Sequence, residues 1–326
     1  MKVFVAGATG AVGCRLVPLL VAAGHGVFGM SRSPDKAAAI ERTGATAVIV
    51  DGLDRAAVRA AVLATQPDVV VHQLTALRGM TDLRKFDRTF AQSNRLRTQG
   101  LDYLLAAARE AGTRRIVVQS YCGWPYARTG LPVKTEDDVL DPDPPKELRR
   151  SLDAIRHLER AATTSGLDGV VLRYGSFYGP DTGMLSAAAL DQIRRRQFPL
   201  IGDGNGWWSF LHIDDAAAAA AIAVERGACG IYNIVDDQPA PAREWLPELA
   251  RIIGAKPPLH VPAWLARILA GEHLVKMMTQ ARAGSNVKAK RELGWRPLHP
   301  SWREGFASEV ARSNDGRAAK AREFSA

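Results

Sequence analysis

Seven residues near the start constrain this chain most. Gly7-Ala8-Thr9-Gly10-Ala11-Val12-Gly13 follows an apolar run, Val3–Ala6, and precedes a helix-forming stretch from Ala11 to Ala23. The first glycine permits a tight turn, the second lets backbone approach a pyrophosphate, and the third permits close helix–strand contact. The helix start then presents free N–H groups and a positive dipole end to phosphates. Three spaced glycines alone are weak evidence. Between a strand and a helix they predict a dinucleotide-binding unit.

Further short apolar runs follow at Val27–Met30, Ala47–Val50, Asp68–His72, Ile116–Gln119 and Val170–Leu172. Helical stretches separate them, opening at Ser33-Pro34, near Asp54 and, as one long piece, over Asp82–Gly112. Strands this apolar, alternating with helices, require a parallel sheet covered on both faces. The predicted fold is α/β, a doubly wound (Rossmann) sheet with a smaller C-terminal substrate lobe. Residues 1–180 are expected to form the dinucleotide-binding domain. Residues 181–311 form the lobe, with segments returning to the sheet, and 312–326 a flexible polar tail.

Composition narrows the setting. No apolar run approaches the roughly 20 residues of a membrane span; Ala216–Val224, bracketed by Asp215 and Glu225, reads as a soluble helix. A glycine turn at Gly7 leaves no space for a secretory signal. Three scattered cysteines, Cys14, Cys122 and Cys229, suit reduced thiols in a cytoplasm. Forty-three basic against 34 acidic residues give a net charge of +9. The arginines are dispersed, so the charge favours an anionic cofactor and not nucleic acid. No segment has metal-ligand spacing. The expected partner is a small-molecule substrate, and a homodimer is compatible with this reading.

The cofactor type follows from the end of the second strand, Ser31-Arg32-Ser33, with no acid before Asp35. Arg32 can pair bidentately with a 2′-phosphate, which favours NADP(H); NAD(H) is the alternative if Arg32 only stacks on adenine. Asp51 is placed to hold the adenine amino group. Gln73, Leu74 and Thr75 are expected along the cofactor ribose.

With these segments in view, the chain resembles the extended short-chain dehydrogenase/reductases, the group containing NAD-dependent epimerases and dehydratases. The resemblance rests on the glycine turn, Asp51, the Asn94–Thr98 helix, Arg173-Tyr174-Gly175-Ser176-Phe177-Tyr178-Gly179-Pro180 and Phe210-Leu211-His212-Ile213-Asp214-Asp215. Gly230-Ile231-Tyr232-Asn233-Ile234 and Leu293-Gly294-Trp295-Arg296-Pro297 extend it over nearly the whole chain. It implies cofactor contacts at Asn94, Gln119, Tyr174 and Gly175.

The family's acid/base pair is a Tyr followed four residues later by Lys, and here the pattern breaks. Aligning Glu159 with the acid that commonly follows the pair puts Ser151 at the Tyr position and Ile155 at the Lys position. None of the six tyrosines has Lys four residues on. Losing a positioned general acid removes roughly 10²–10⁴-fold in rate. A family Ser or Thr after the fifth strand corresponds to Ser120 or Tyr121; Tyr121 is the best acid available there, and its plainer reading is an aromatic wall of the pocket. Cys122 lacks a nearby base. His72 and His212 read as packed strand ends, Asp214 as a helix N-cap, and Asp137-Asp138 with Asp141–Pro145 as a loop at the pocket mouth. Trp124, Tyr126, Trp207 and Trp208, with Ser151, are expected to line an apolar substrate pocket; either of Trp207 and Trp208 can instead pack between lobes. Gly206-Trp207-Trp208-Ser209 lacks the Arg with which relatives clamp a nucleotide-sugar. The reading is an NADP(H)-dependent oxidoreductase on an apolar carbonyl or alcohol with a non-standard proton donor. Two alternatives are a non-catalytic NADP-binding regulator and an epimerase or dehydratase with tightly held NAD.

Overall fold

Alternation along each central strand explains the layers. In β1 (Lys2–Ala6), Val3 and Val5 point to one face of the sheet and Phe4 and Ala6 to the other, all with no solvent exposure. β4 (Val69–His72) and β5 (Arg115–Tyr121) divide the same way. One face is covered by α1 (Gly13–Ala22) and the alanine-rich α5 (Ile213–Glu225). The other is covered by α2 (Arg55–Thr65), α3 (Leu101–Glu110) and α4 (Arg149–Thr163). The computed structural model describes residues 1–76 and 86–323, with side chains described to residue 314.

The remaining strands are β2 (Gly26–Ser31), β3 (Thr46–Ile49), β6 (Asp168–Tyr174) and β7 (Gly230–Ile234). In these labels the order is β7-β6-β5-β4-β1-β2-β3, parallel throughout. Strand order reverses between β1 and β4, and ligands of such sheets bind at the carboxyl ends of the strands beside that reversal. β7 is the seventh strand, beyond the six apolar runs. Together with α5 it returns from past residue 180 to extend the sheet.

The lobe has its own core around Leu200, Phe210, Trp245, Trp302 and Phe306. α6 (Ala242–Ile252) and α8 (Trp302–Glu323) supply much of it. Trp302, Phe306 and Val310 recur every four residues on the buried side of α8. The backbone is helical to Glu323, through most of the expected tail.

Two local expectations need correction. The stretch read as one helix over Asp82–Gly112 is broken into Phe86–Thr89, Ala91–Arg95, a π-type turn at Leu96–Gly100 and α3; its residues 82–85 lie outside the described ones. The N-cap of α5 is His212 and not Asp214, because the imidazole accepts from the Asp214 N–H at 3.2 Å. Asp214 is thereby free to pair with Arg15 of α1 at 2.7 Å.

Candidate active site

At the first turn, geometry admits only glycine. Gly7 has φ +96°, and a Cβ there would lie 2.7 Å from the Gln73 carbonyl oxygen. A Cβ on Gly13 would lie 2.1 Å from the Gly7 carbonyl oxygen. The Gly10 N–H donates to that same carbonyl at 3.0 Å. No side chain caps α1, whose N-cap Val12 is buried, so Ala11, Val12 and Gly13 offer backbone N–H groups alone. This cradle fits the phosphates of a dinucleotide.

Around the cradle, the Ser31 hydroxyl accepts from the Ser33 N–H at 3.2 Å and lies 3.5 Å from the Thr9 hydroxyl. Arg32 is exposed and makes no ion pair among the described residues. Thr9 and Lys36 line a cleft of about 200 Å³ whose other walls include Cys14, Val17 and Ile40. Asp51 accepts from the Leu53 N–H at 2.9 Å, and a Cβ on Gly52 would meet Leu74 at 2.7 Å, so the ends of β3 and β4 are drawn together. Leu74, Thr75, Gln119 and Asn94 are half-buried around the carboxyl end of the sheet. Gln73 and Tyr174 differ: both are buried, Gln73 donates to the Tyr174 hydroxyl at 3.4 Å, and that hydroxyl donates to the Ala216 carbonyl at 3.3 Å. Gly175 lets another segment approach, since its Cβ would lie 2.9 Å from the Ser209 carbonyl oxygen.

The proposed acid/base residues separate by strand alternation. Ser120 turns inward, where its hydroxyl donates to Glu159 at 2.7 Å. Glu159 is held bidentately by Arg173, both contacts 2.7 Å, and Arg173 also donates to the Tyr126 hydroxyl at 3.0 Å. Tyr126 in turn donates to Asn233 at 2.7 Å. Ser120 and Tyr126 therefore belong to a buried network that ties β5, β6 and β7 to α4, and Tyr126 is no pocket wall. Tyr121 faces the other way, half-buried, its hydroxyl 3.0 Å from that of Ser176. Burial pushes its pKa up to about 12 against the Ser176 hydrogen bond. It is a neutral donor. Cys122 is buried, and burial likewise pushes its thiol up to about 12, which leaves it inert.

Ser151 is fully buried and saturated. Its hydroxyl accepts from Asn94 at 3.0 Å and donates to Asp87 at 2.6 Å. Asp87 also takes the N–H groups of Arg150 at 2.9 Å and Ser151 at 2.8 Å, capping α4 from outside its own helix. Asn94 accepts from the buried Arg97 at 3.2 Å. Asp87 lies in none of the sequence motifs, and Arg97 and Ser176, although inside the Asn94–Thr98 and Arg173–Pro180 segments, carry no sign there of their own roles; Arg97 is buried within the π-type turn.

The tryptophans divide too. Trp208 packs on Trp245 with centroids 5.0 Å apart and donates its Nε1–H to the Met277 carbonyl at 3.2 Å, so it joins the lobe core. Trp207 alternates to the opposite face of its short strand. Trp124 remains with Tyr121, at a centroid distance of 6.4 Å, beside Phe86 and His273 of α7 (Glu272–Thr279). His273, unremarkable in the sequence, becomes a site residue only through this packing.

Comparison with known proteins agrees with this frame. The profile of the NAD dependent epimerase/dehydratase family matches residues 3–234. A 3-diazoavenalumate denitrifying reductase from a Streptomyces species is 46% identical over 312 residues, covering 95% of this chain and all of that protein. A 4-hydroxy-2-methyl-3-oxo-4-farnesyl-3,4-dihydroquinoline-1-oxide ketoreductase from Stigmatella aurantiaca is 28% identical over 90% of this chain and 92% of its own. The UDP-glucose 4-epimerase structure from Thermotoga maritima superposes with a TM-score of 0.74 at 22% identity, covering 97% and 99% of the two chains. At that identity the likeness speaks for the fold alone.

Proposed function

The chain belongs to the NAD dependent epimerase/dehydratase family, and from that premise we propose an NADPH-dependent reductase that replaces the diazo group of an aromatic substrate by hydride. One observation carries the reading: the hydroxyls around the end of β5 are saturated or held as neutral donors. Ser120 and Ser151 are spent in buried networks. Tyr121, held at about 12 by burial, has no lysine to lower it.

The glycine cradle would hold the pyrophosphate, and Arg32 with Lys36 a 2′-phosphate. The bound nicotinamide supplies hydride. For a ketone, the chain must also neutralise an alkoxide, the task for which a general acid contributes roughly 10²–10⁴-fold. In its arenediazonium form such a group takes hydride at carbon and departs as N₂, so Ar–N₂⁺ and H⁻ give Ar–H and N₂ with no alkoxide to protonate. The chemistry missing from this site is the chemistry such a substrate does not require. The 46%-identical denitrifying reductase supports the same substrate class.

Carbonyl reduction is the second reading, favoured by the 3.0 Å Tyr121–Ser176 pair as an alkoxide-stabilising donor and by the ketoreductase relative. The test is NADPH consumption, above a protein-free control, with aryl diazo compounds and with a panel of aromatic ketones. N₂ release matching NADPH consumed is expected for the diazo compounds. Turnover confined to ketones would replace the first reading by the second.

A further inference from the structure

We infer that the chamber between the loop after β5 and α7 binds a planar aromatic carboxylate, with His273 hydrogen-bonding a hydroxyl on its ring. This rests on the reductase reading of the same site and names the substrate class it serves.

The first observation is an unpaired buried nitrogen. His273 is 5% exposed, and its Nδ1 has no hydrogen-bond partner among the described residues. A buried polar atom left unpaired carries its full desolvation penalty, which a ligand can relieve. Its neighbours are aromatic: Phe86 at 4.5 Å and Trp124 at 6.2 Å between centroids, with Phe90 stacked on Phe86 at 4.0 Å. Such walls accept a flat ring. Burial lowers the imidazole to about 4, so near neutral pH the ring offers one donor and one acceptor, the pair a phenol can use.

The second observation is unbalanced charge. Arg128 and Lys276 line this chamber, and Arg282 follows its lining residue Ala281 and donates to the Arg128 carbonyl. Arg128 is paired with Asp141. Among the described residues Lys276 has only Glu272, at 3.6 Å, and that carboxylate is shared with Arg267 at 2.5 Å. Arg282 meets no carboxylate among them: its guanidinium donates to the carbonyls of Gln280, Ala281 and Arg128, and its Nε is buried and unpaired. Burial, and then Arg128, lower its pKa, as expected of a cation lacking a counter-ion. An anion bound here would supply that counter-ion.

The third observation is a joint. The chamber now measures only about 10 Å³, so a ligand must displace α7 or Trp124. Gly271, immediately before α7, has φ +91°, the left-handed backbone that glycine adopts without strain, so the joint most able to change is glycine.

The experiment is equilibrium binding, by tryptophan fluorescence at saturating NADP⁺, of 4-hydroxycinnamate, its methyl ester and cinnamate. The acid should bind about tenfold more tightly than its ester, the scale of a charge-assisted hydrogen bond. Lys276→Met and Arg282→Met should each cut that preference several-fold with NADP⁺ affinity kept. His273→Phe, which preserves the ring and its stacking, should weaken 4-hydroxycinnamate about tenfold and cinnamate by less than about twofold. His273→Asn, with an amide near the Nδ1 position, should recover part of the loss. Equal affinity for acid and ester would overturn the proposal, as would unchanged 4-hydroxycinnamate binding in both His273 variants. Binding is read without turnover, so the two readings fail separately. A protein that binds these acids yet reduces no acceptor sinks the reductase reading alone; one that reduces diazo compounds but shows no acid preference sinks this inference alone.

Discussion

The cofactor end of the crevice is built from neighbours in sequence, whereas the substrate end is assembled from pieces far apart in the chain. At the first, Gly7, Gly13, Ser31 and Gly52 act within some fifty residues, and backbone contacts fix the geometry. At the second, Phe86, Tyr121, Trp124, Ser151 and His273 come from four separate segments, and side-chain packing decides which of them faces a ligand. The contrast predicts that the cofactor end breaks abruptly on a single added methyl group. The substrate end should instead yield by degrees.

Gly13→Ala should have the largest effect. Its Cβ would lie 2.1 Å from the Gly7 carbonyl oxygen, a backbone clash that no rotamer relieves. Overpacking of this kind costs about 1–3 kcal/mol or more. A lower melting temperature and no detectable NADPH binding are expected, with exposed Cys229→Ala as the unaffected control. Normal NADPH affinity in Gly13→Ala would show that the turn is not the cradle.

Arg32→Ala comes next and acts on one cofactor only. NADPH should lose roughly 1–3 kcal/mol of binding while NADH is nearly unchanged. Fluorescence titration of both cofactors decides it, and equal affinities in the unmodified protein would remove Arg32 as a phosphate ligand.

Tyr121→Phe separates the two chemistries proposed for the substrate end. With ketones, kcat should fall about ten- to a hundred-fold and NADPH affinity stay constant, the pattern of an interaction made in the transition state. With diazo substrates the change should be under about threefold, because no alkoxide develops. Because burial holds the phenol near 12, neither rate should show a phenol ionisation between about pH 6 and 9.

How far the sequence could be read follows the same division. Six of the seven strands were legible because strand, turn and helix signals are local: three apolar residues per strand and a glycine turn suffice, whereas the run Gly230-Ile231-Tyr232-Asn233-Ile234 of β7 is too mixed to read as a strand. The substrate end was not, because identity gives no direction there. Ser120 and Tyr121 are adjacent, yet alternation along β5 sends one to Glu159 and the other to Ser176. Tyr126 looked like a pocket wall until Arg173 and Asn233, more than forty residues away, claimed its hydroxyl. His212 displaced Asp214 as the cap of α5 because the helix already begins at Ile213, so the extended residue before it is His212, whose Nδ1 accepts from the Asp214 N–H.

Ser151→Ala should have the smallest effect. Asp87 keeps its two backbone donors at the start of α4, so the helix stays capped. Turnover should remain within a few-fold, far from the ~10²-fold loss of a general acid. A drop on that larger scale, with folding and cofactor binding intact, would show that the Asn94–Ser151–Asp87 chain delivers a proton.

The central claim is that reduction here proceeds without a proton from the protein. The direct measurement is the solvent deuterium isotope effect on kcat/KM for a diazo substrate, combined with NADPH deuterated at the transferred position. The account predicts a solvent effect of unity, with cofactor deuterium recovered on the carbon that lost nitrogen. A clear normal solvent effect, abolished in Tyr121→Phe, would contradict it and make that phenol a true acid.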